Sequence, residues 1–212
     1  VHHSNYLKFF EFARIEWLEK LKMPYQEIER NKIILPVVNC ELKFLKPLVF
    51  GDSLSDMGNA KNSVLNVPDV PPYWQGRFSN GQVWIEYVSQ SYGLTTTIGS
   101  GTQSGDNRAF GGSQTGAGFS YLLLPNVGTQ ISNYLANVQS SIPANNVVSL
   151  WAGGNDFLYG TANSNTIVAN MESHIRQLTG AGATEFIIPN LPPLEKTPEI
   201  LSRSPVSYTH LR

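Results

Sequence analysis

The stretch LVFGDSLSDMGN, Leu48–Asn59, decides how the rest of the chain is interpreted. It begins with a short apolar run, Leu48–Phe50, of the kind found in parallel strands that are buried on both faces. A turn follows this run, and Leu54–Met57 can begin a helix. Such a strand–turn–helix setting would hold the hydroxyl of Ser53 at the carboxyl edge of a sheet, near backbone N–H groups and the positive end of a helix. Ser53 is therefore either a catalytic nucleophile or an ordinary helix N-cap.

The chain downstream of this stretch alternates between strand and helix patterns. Val147–Trp151 and Glu185–Pro189 are further short apolar runs that predict buried parallel strands. This rhythm predicts an α/β fold, with helices on both faces of a parallel sheet and any site in the loops at the carboxyl ends of its strands. The predicted helices are Trp84–Tyr92, Val127–Ile142 and Thr166–Leu178.

Two glycine-containing motifs follow strand-like segments and should reach the same edge as Ser53. They are NRAFGG, residues 107–112, and WAGGND, residues 151–156. Acyl transfer needs hydrogen-bond donors aimed at the oxygen that becomes negative, and a glycine N–H and an asparagine amide are such donors. Gly112 and Asn155 are the candidates. The alternative is that Gly112 is a turn glycine and Asn155 a loop residue that caps the next helix.

Composition and charge exclude several other classes of function. The chain has 212 residues, 41% of them hydrophobic, and its 15 Lys and Arg residues nearly balance 16 Asp and Glu residues, so no basic surface for nucleic acid is expected. The single cysteine, Cys40, allows neither a disulfide framework nor a cysteine-based zinc site. There is no run of eighteen apolar residues, and charges are spread through the first twenty residues, so we expect no export or membrane signal in the chain as given and leave its compartment open.

Four motifs in order carry a resemblance to a known family. FGDSLSDMGN, GRFSNGQVW, NRAFGG and GGND resemble the GDSL lipase/esterase family of SGNH hydrolases, particularly its secreted, plant-type and autotransporter branch. The resemblance covers roughly residues 48–202. It implies a flavodoxin-like, three-layer α/β/α sandwich that hydrolyses small-molecule or lipid esters without metal or cofactor. It also implies that Ser53 is the nucleophile, and that the oxyanion hole consists of its own N–H, the N–H of Gly112 and the side chain of Asn155. The matching positions taken as structural supports are Arg77–Trp84, Asp56 and Asn59.

The general base that this family draws from a late Asp-x-x-His motif is missing from the chain. His2 and His3 precede the domain, His174 is expected to face solvent on its helix, and His210 has a serine where the motif needs aspartate. Residues 203–212 resemble a translated cloning or sequencing adapter. We therefore expect a C-terminally truncated hydrolase domain with impaired activity.

The first 47 residues have a different sequence pattern from the rest of the chain. Asn5–Lys22 predicts an amphipathic helix and Val38–Phe44 a half-buried strand, with a domain boundary near Lys46 and Pro47. This segment resembles a fragment of the hot-dog-fold acyl-CoA thioesterases of the 4-hydroxybenzoyl-CoA type, whose catalytic aspartate lies upstream of the residues present here, so no thioesterase site is assigned. The aromatic residues expected to pack in its core are Phe9, Phe10 and Trp17.

Three functions stay open at this point. The chain is an ester hydrolase, an acyl-CoA thioesterase, or no enzyme at all. In the last case it is either a non-functional composite or a sheet that binds without turnover. A genuine fusion would also explain its two parts. Oligomeric state and acyl specificity are not predicted. Aromatic residues in two loops either line an acyl pocket or pack beneath their loops: Tyr73, Trp74, Phe119 and Tyr121.

Overall fold

The computed structural model describes residues 12, 14–31, 46–94, 96–98, 107–160 and 163–202. The chain forms two compact units, Val1–Lys43 and Phe44–Arg212. The predicted strand Val38–Phe44 and the adapter-like residues 203–212 lie outside the described residues, as do Phe9 and Phe10.

The described part of the first unit contains two short helices. Residues 14–20 are helical, within the predicted helix Asn5–Lys22, and α1 (Tyr25–Arg30) follows a turn in which Lys22 has a φ of 57°. Leu18 and Ile28 are buried, whereas Trp17 is 61% exposed. The prediction that Trp17 packs in a core is therefore wrong. The buried face of the helix is the neighbouring one, which carries Leu18.

The second unit is built on a parallel sheet of three strands in the order β1-β2-β3. These are β1 (Lys46–Gly51), β2 (Asn146–Trp151) and β3 (Glu185–Ile187). The register pairs Gly51 with Trp151 at the carboxyl end of β1 and β2. On the far side of β1, Asn107 forms a parallel bridge with Val49, so the segment that begins at Asn107 extends the sheet.

Helices cover both faces of this sheet, as predicted. They are α2 (Trp84–Ser91), α3 (Val127–Asn137), α4 (Gly154–Tyr159), α5 (Ser164–Gly180) and α6 (Pro198–Leu201), with a 3-10 turn at Leu194–Lys196. Leu48 and Phe50 of β1 pack against α3 and α5 in one apolar cluster. Val49 points the opposite way and packs with Ile85 of α2. Alternation along β1 thus supplies a separate core to each face.

Two predicted elements end earlier than expected. Strand β3 ends at Ile187, because Pro189 has no N–H to contribute to a ladder. Helix α3 ends at Asn137, where the sequence pattern extended to Ile142. Gln139 and Ser140 adopt φ values of 51° and 57°, and the N–H of Ser140 closes the end by donating to the Leu135 carbonyl.

Candidate active site

Ser53 lies in a tight turn immediately after β1. The Asp52 carbonyl accepts a hydrogen bond from the N–H of Ser55 at 3.1 Å, and the Asp52 carboxylate accepts one from the N–H of Leu54 at 3.0 Å. Ser53 is half-buried, and its hydroxyl has no hydrogen-bond partner among the described residues. The turn therefore presents a hydroxyl that is free to react at the carboxyl edge of the sheet.

The helix expected to begin at Leu54–Met57 is not formed, and that prediction is wrong. Side chains take the backbone groups that a helix would need: Asn107 donates to the Ser55 carbonyl at 2.7 Å, and the Asp56 carboxylate accepts the N–H groups of Gly58 and Asn59 at 2.7 and 2.6 Å. Ser53 thus has no helix N-terminus behind it, and any stabilisation of negative charge must come from individual N–H groups.

Close packing of β1 against β2 requires glycine at the end of β1. A Cβ atom added to Gly51 would lie 2.4 Å from the Trp151 carbonyl oxygen, which is backbone and cannot move aside. The main chain of Gly51 is also held by Gln130 of α3, whose Oε1 accepts its N–H at 3.0 Å and whose Nε2 donates to its carbonyl at 2.9 Å. The sequence contained no signal for Gln130, since its partner lies 79 residues away.

The segment with Gly112 runs beside β1 and leaves the sheet at the same edge. Arg108 donates its N–H to the Val49 carbonyl at 2.7 Å, and Phe110 donates to the Gly51 carbonyl at 3.2 Å. Gly111 then donates to the Asp56 carboxylate at 2.8 Å. Gly112 has a φ of 79°, and its N–H has no acceptor within the part of the chain that the structure describes. This N–H is therefore available as a donor.

Asn155 is placed by the turn after β2. Gly153, with a φ of 122°, is the N-cap residue that precedes α4, and Asn155 lies buried in the first turn of that helix. The side-chain nitrogen of Asn155 donates to the Ser113 carbonyl at 2.9 Å. An amide nitrogen carries two hydrogens, so one remains for another acceptor. The contact also ties Asn155 to the residue that follows Gly112.

Three buried aspartate side chains lie at this edge of the sheet: Asp52, Asp56 and Asp156. Burial raises the pKa of Asp52 from 3.8 to about 7, with a further contribution from the neighbouring Asp156 carboxylate. Burial likewise raises the pKa of Asp56 to about 6, against the opposing effect of the N–H groups that it accepts. The pKa of Asp156 is raised by burial too, although Thr115 donates to it through both N–H and hydroxyl.

Trp84 of α2 braces the serine turn. Trp84 donates its indole N–H to the Ser55 hydroxyl at 3.0 Å and packs edge-on against Trp151, with ring centroids 5.6 Å apart. The start of α2 is held by an ion pair between the half-buried Arg77 and the buried Glu86. These contacts place the segment Arg77–Trp84 in a supporting position.

His174 does not face solvent, which corrects the expectation from its helical pattern. It is buried in α5, and its Nε2 lies 2.6 Å from the Thr115 carbonyl oxygen. Because a carbonyl can only accept, the ring N–H donates a hydrogen bond to it. The other histidines, His2, His3 and His210, lie outside the described residues. Within the described ranges, no imidazole contacts Ser53.

Neither a metal centre nor a membrane span is found in the described part of the chain. No three His, Cys, Asp or Glu side chains described here are grouped to hold a metal ion. None of the described helices is both long and apolar enough to cross a bilayer. Of the aromatic residues considered for an acyl pocket, Tyr73, Phe119 and Tyr121 are exposed.

Comparison with known proteins identifies both parts of the chain. The model of the GDSL-like lipase/acylhydrolase family matches residues 48–210, and that of the thioesterase-like superfamily matches residues 1–58. Both resemblances inferred from the sequence are thereby confirmed.

Curated relatives agree with this assignment. The thermolabile hemolysin of Vibrio parahaemolyticus is 33% identical over 159 residues, which is 73% of this chain and 35% of the relative. The phosphatidylcholine-sterol acyltransferase of Aeromonas hydrophila is 30% identical over 176 residues, 77% of this chain and 49% of the relative. A 1,4-dihydroxy-2-naphthoyl-CoA hydrolase of Prochlorococcus marinus is 36% identical over 61 residues, 26% of this chain and 41% of the relative. The chain thus spans between about a third and a half of the length of these relatives.

Proposed function

The chain belongs to the GDSL-like lipase/acylhydrolase family, and on that premise we propose that it is a carboxylic ester hydrolase in which Ser53 forms an acyl-enzyme. One observation carries the proposal. Ser53, Gly112 and Asn155 follow three adjacent segments of one parallel sheet and leave it at the same edge. A free hydroxyl and hydrogen-bond donors at one edge are the parts that acyl transfer requires.

The reaction proceeds in two steps. The hydroxyl of Ser53 gives its proton to a base, its oxygen attacks the carbonyl carbon of the ester, and the electron pair of the C=O bond moves to the carbonyl oxygen. The N–H groups of Ser53 and Gly112 and the second amide hydrogen of Asn155 stabilise that negative oxygen. Collapse expels the alcohol, which takes up a proton, and water then attacks the acyl group and releases the acid and free Ser53.

Removal of the serine proton is the weak step in this chain. A serine hydroxyl needs a base, and the histidine that the structure describes, His174, has its Nε2 bonded to the Thr115 carbonyl. We therefore propose that the chain by itself retains the nucleophile and the oxyanion donors but hydrolyses esters several orders of magnitude more slowly than a complete triad would.

The substrate is proposed to be a lipid or small-molecule ester. Two relatives are named as a hemolysin and a phosphatidylcholine-sterol acyltransferase, which favours a lipid ester here. On family grounds we also propose a three-layer sandwich with more strands and helices than the described residues form. Secretion of the hydrolase is proposed on the same grounds. The hot-dog fold of residues 1–47 is likewise a proposal.

Chemical rescue tests the proposal directly. Hydrolysis of p-nitrophenyl butyrate is measured for the chain and for Ser53→Ala, with and without added imidazole as an external base. We expect slow hydrolysis that imidazole accelerates in the parent chain beyond its effect on Ser53→Ala. Equal rates for both proteins at every imidazole concentration would contradict a nucleophilic Ser53.

The match of residues 1–58 to the thioesterase-like superfamily supports a second candidate, hydrolysis of acyl-CoA. A thioesterase activity located in this segment would not depend on Ser53. Release of free CoA from acyl-CoA, measured with a thiol reagent on Ser53→Ala, separates the two functions. An unchanged release rate would favour the second candidate.

A further inference from the structure

We propose that residues 119–123 form a tip that docks the active-site edge onto a neutral lipid surface made of zwitterionic phospholipid. The proposal goes beyond ester hydrolysis, because binding to a surface can be measured without turnover. It concerns where the protein binds, and the lipid ester of the proposed function would then be met at that surface.

The tip presents apolar side chains to solvent in an alternating pattern. Phe119, Tyr121 and Leu123 are 64%, 57% and 74% exposed, whereas Ser120 and Leu124 between and after them are buried. Large apolar side chains grouped on a protruding turn are typical of interaction sites. Tyrosine in particular suits a lipid–water boundary, since its ring is apolar and its hydroxyl is polar.

The tip is a defined turn rather than a loose loop. Phe119 forms an antiparallel bridge with Pro125, and Ser120 donates its N–H to the Leu124 carbonyl at 2.8 Å. Leu123 closes the turn with a φ of 54° and donates to the Ser120 carbonyl at 2.8 Å. The exposed side chains are thus held outward at little further cost in conformational entropy on binding.

The tip lies directly beside the proposed oxyanion donors. A Cβ atom at Gly112 would lie 2.9 Å from Leu122 and 3.5 Å from the ring of Tyr121. The Tyr121 ring also lies 4.8 Å, centroid to centroid, from Tyr159 at the end of α4, whose first turn carries Asn155. A lipid surface that contacts the tip would therefore lie next to the site where the ester is held.

Charge favours a zwitterionic surface over an anionic one. Residues 109–155, which include the whole tip, contain no Asp, Glu, Lys, Arg or His. Binding to anionic lipid depends on clustered Lys and Arg, which this stretch lacks. Burial is the main cause of a raised pKa of Tyr121, and Tyr159 and Glu199 add to it. The charged side chain near the tip is therefore an acidic one.

Co-sedimentation with vesicles tests the inference. The full chain, carrying Ser53→Ala to prevent turnover, is spun with phosphatidylcholine vesicles and with vesicles containing phosphatidylserine. We expect binding to phosphatidylcholine that added salt does not weaken and that phosphatidylserine does not improve. In F119S/Y121S/L123S, partitioning should fall by at least about tenfold, because three apolar side chains no longer leave water.

Two matched variants make the result specific. V64S/Y87S removes exposed apolar side chains elsewhere in the second unit and should bind as the parent does. F12S/W17S/L21S removes three exposed apolar side chains of the first unit, and loss of binding in this variant instead of the tip variant would overturn the inference. Should the triple tip variant fail to fold by circular dichroism, Leu123→Ser alone should still weaken binding about threefold or more.

Other binding partners of the tip would give different experimental results. If the tip served a second copy of this chain, light scattering without lipid would show a dimer that the tip variant abolishes, and vesicle binding would be unchanged. That result, or binding driven by phosphatidylserine and lost in salt, would overturn docking on a neutral surface. Failure of ester hydrolysis leaves these measurements unaffected, so the two proposals fail separately.

Discussion

The carboxylate of Asp56 accepts the backbone N–H of Gly111 at 2.8 Å, joining the turn that carries Ser53 to the segment that carries Gly112 across 55 residues of sequence. The same carboxylate also accepts the N–H groups of Gly58, Asn59 and Ala60. One buried side chain therefore fixes the serine turn and the glycine donor relative to each other, which makes Asp56 a positioning residue.

Replacing Asp56 with alanine should destabilise the fold more than replacing it with asparagine. Alanine leaves four N–H groups without their acceptor, and we expect a loss of about 3 kcal/mol or more in the free energy of unfolding. Asparagine keeps one acceptor oxygen and should lose less. Urea denaturation measures both, with the exposed Asp69→Asn as control. Equal stability of the alanine variant and the parent would contradict the positioning role.

The alanine substitution of Gly51 should be among the most damaging in the molecule. The added methyl group would lie 2.4 Å from the Trp151 carbonyl oxygen, so β1 and β2 would have to separate. We expect a loss of at least about 3 kcal/mol in the free energy of unfolding, or no soluble protein. Gly81→Ala is the matched control, because nothing lies within 4 Å of its added Cβ. Similar melting temperatures for the two variants would contradict the requirement for glycine where β1 packs against β2.

The parts of the fold that followed from local pattern were predictable. Leu48–Phe50 and Val147–Trp151 indicate buried strands, because short apolar runs are typical of strands covered on both faces. The parallel pairing of these strands places Ser53 and Asn155 at one edge of the sheet. The helix after Ser53 was mispredicted, because Asn107 and Asp56 capture its backbone groups from elsewhere in the chain. Contacts of this kind join residues far apart in sequence and leave no periodic signal.

Contacts between residues distant in sequence also explain why Gln130 and the buried position of His174 were not predicted. Gln130 looks like any polar helix residue, yet it bonds both backbone groups of Gly51. His174 looked solvent-facing, because the amphipathic pattern of α5 does not reveal that the Thr115 carbonyl lies against it. For such residues, the partner exists only once the fold is formed.

Stability should depend on pH through Asp52. Burial raises its pKa from 3.8 to about 7, so the folded protein holds this proton more tightly than the unfolded chain does. Its contribution to stability is full below about pH 4 and is lost as the pH rises through 7. We expect the free energy of unfolding to fall over this range by an amount that shrinks in Asp52→Asn, as measured by urea denaturation at several pH values. A slope unchanged in Asp52→Asn would rule Asp52 out as its source.

Removing the amide of Asn155 should slow catalysis more than it weakens substrate binding. In Asn155→Ala, the imidazole-supported, Ser53-dependent hydrolysis rate should fall by about 10²–10³, because one donor to the negative oxygen is lost. KM should change little, since the donor acts mainly in the transition state. Asn170→Ala, in α5, removes an amide of the same kind that donates to Thr115, and should leave the rate within a few fold. Similar losses in both variants would assign Asn155 a structural role only.

Replacing His174 should affect stability and leave the reactivity of Ser53 unchanged. His174→Ala leaves the buried Thr115 carbonyl without its donor and should cost about 1–3 kcal/mol in the free energy of unfolding. His174→Gln retains an N–H donor and should recover part of this loss. At a temperature where both variants are folded, their Ser53-dependent hydrolysis without imidazole should equal that of the parent chain. A rate lost in both variants and restored by imidazole would instead identify His174 as the base.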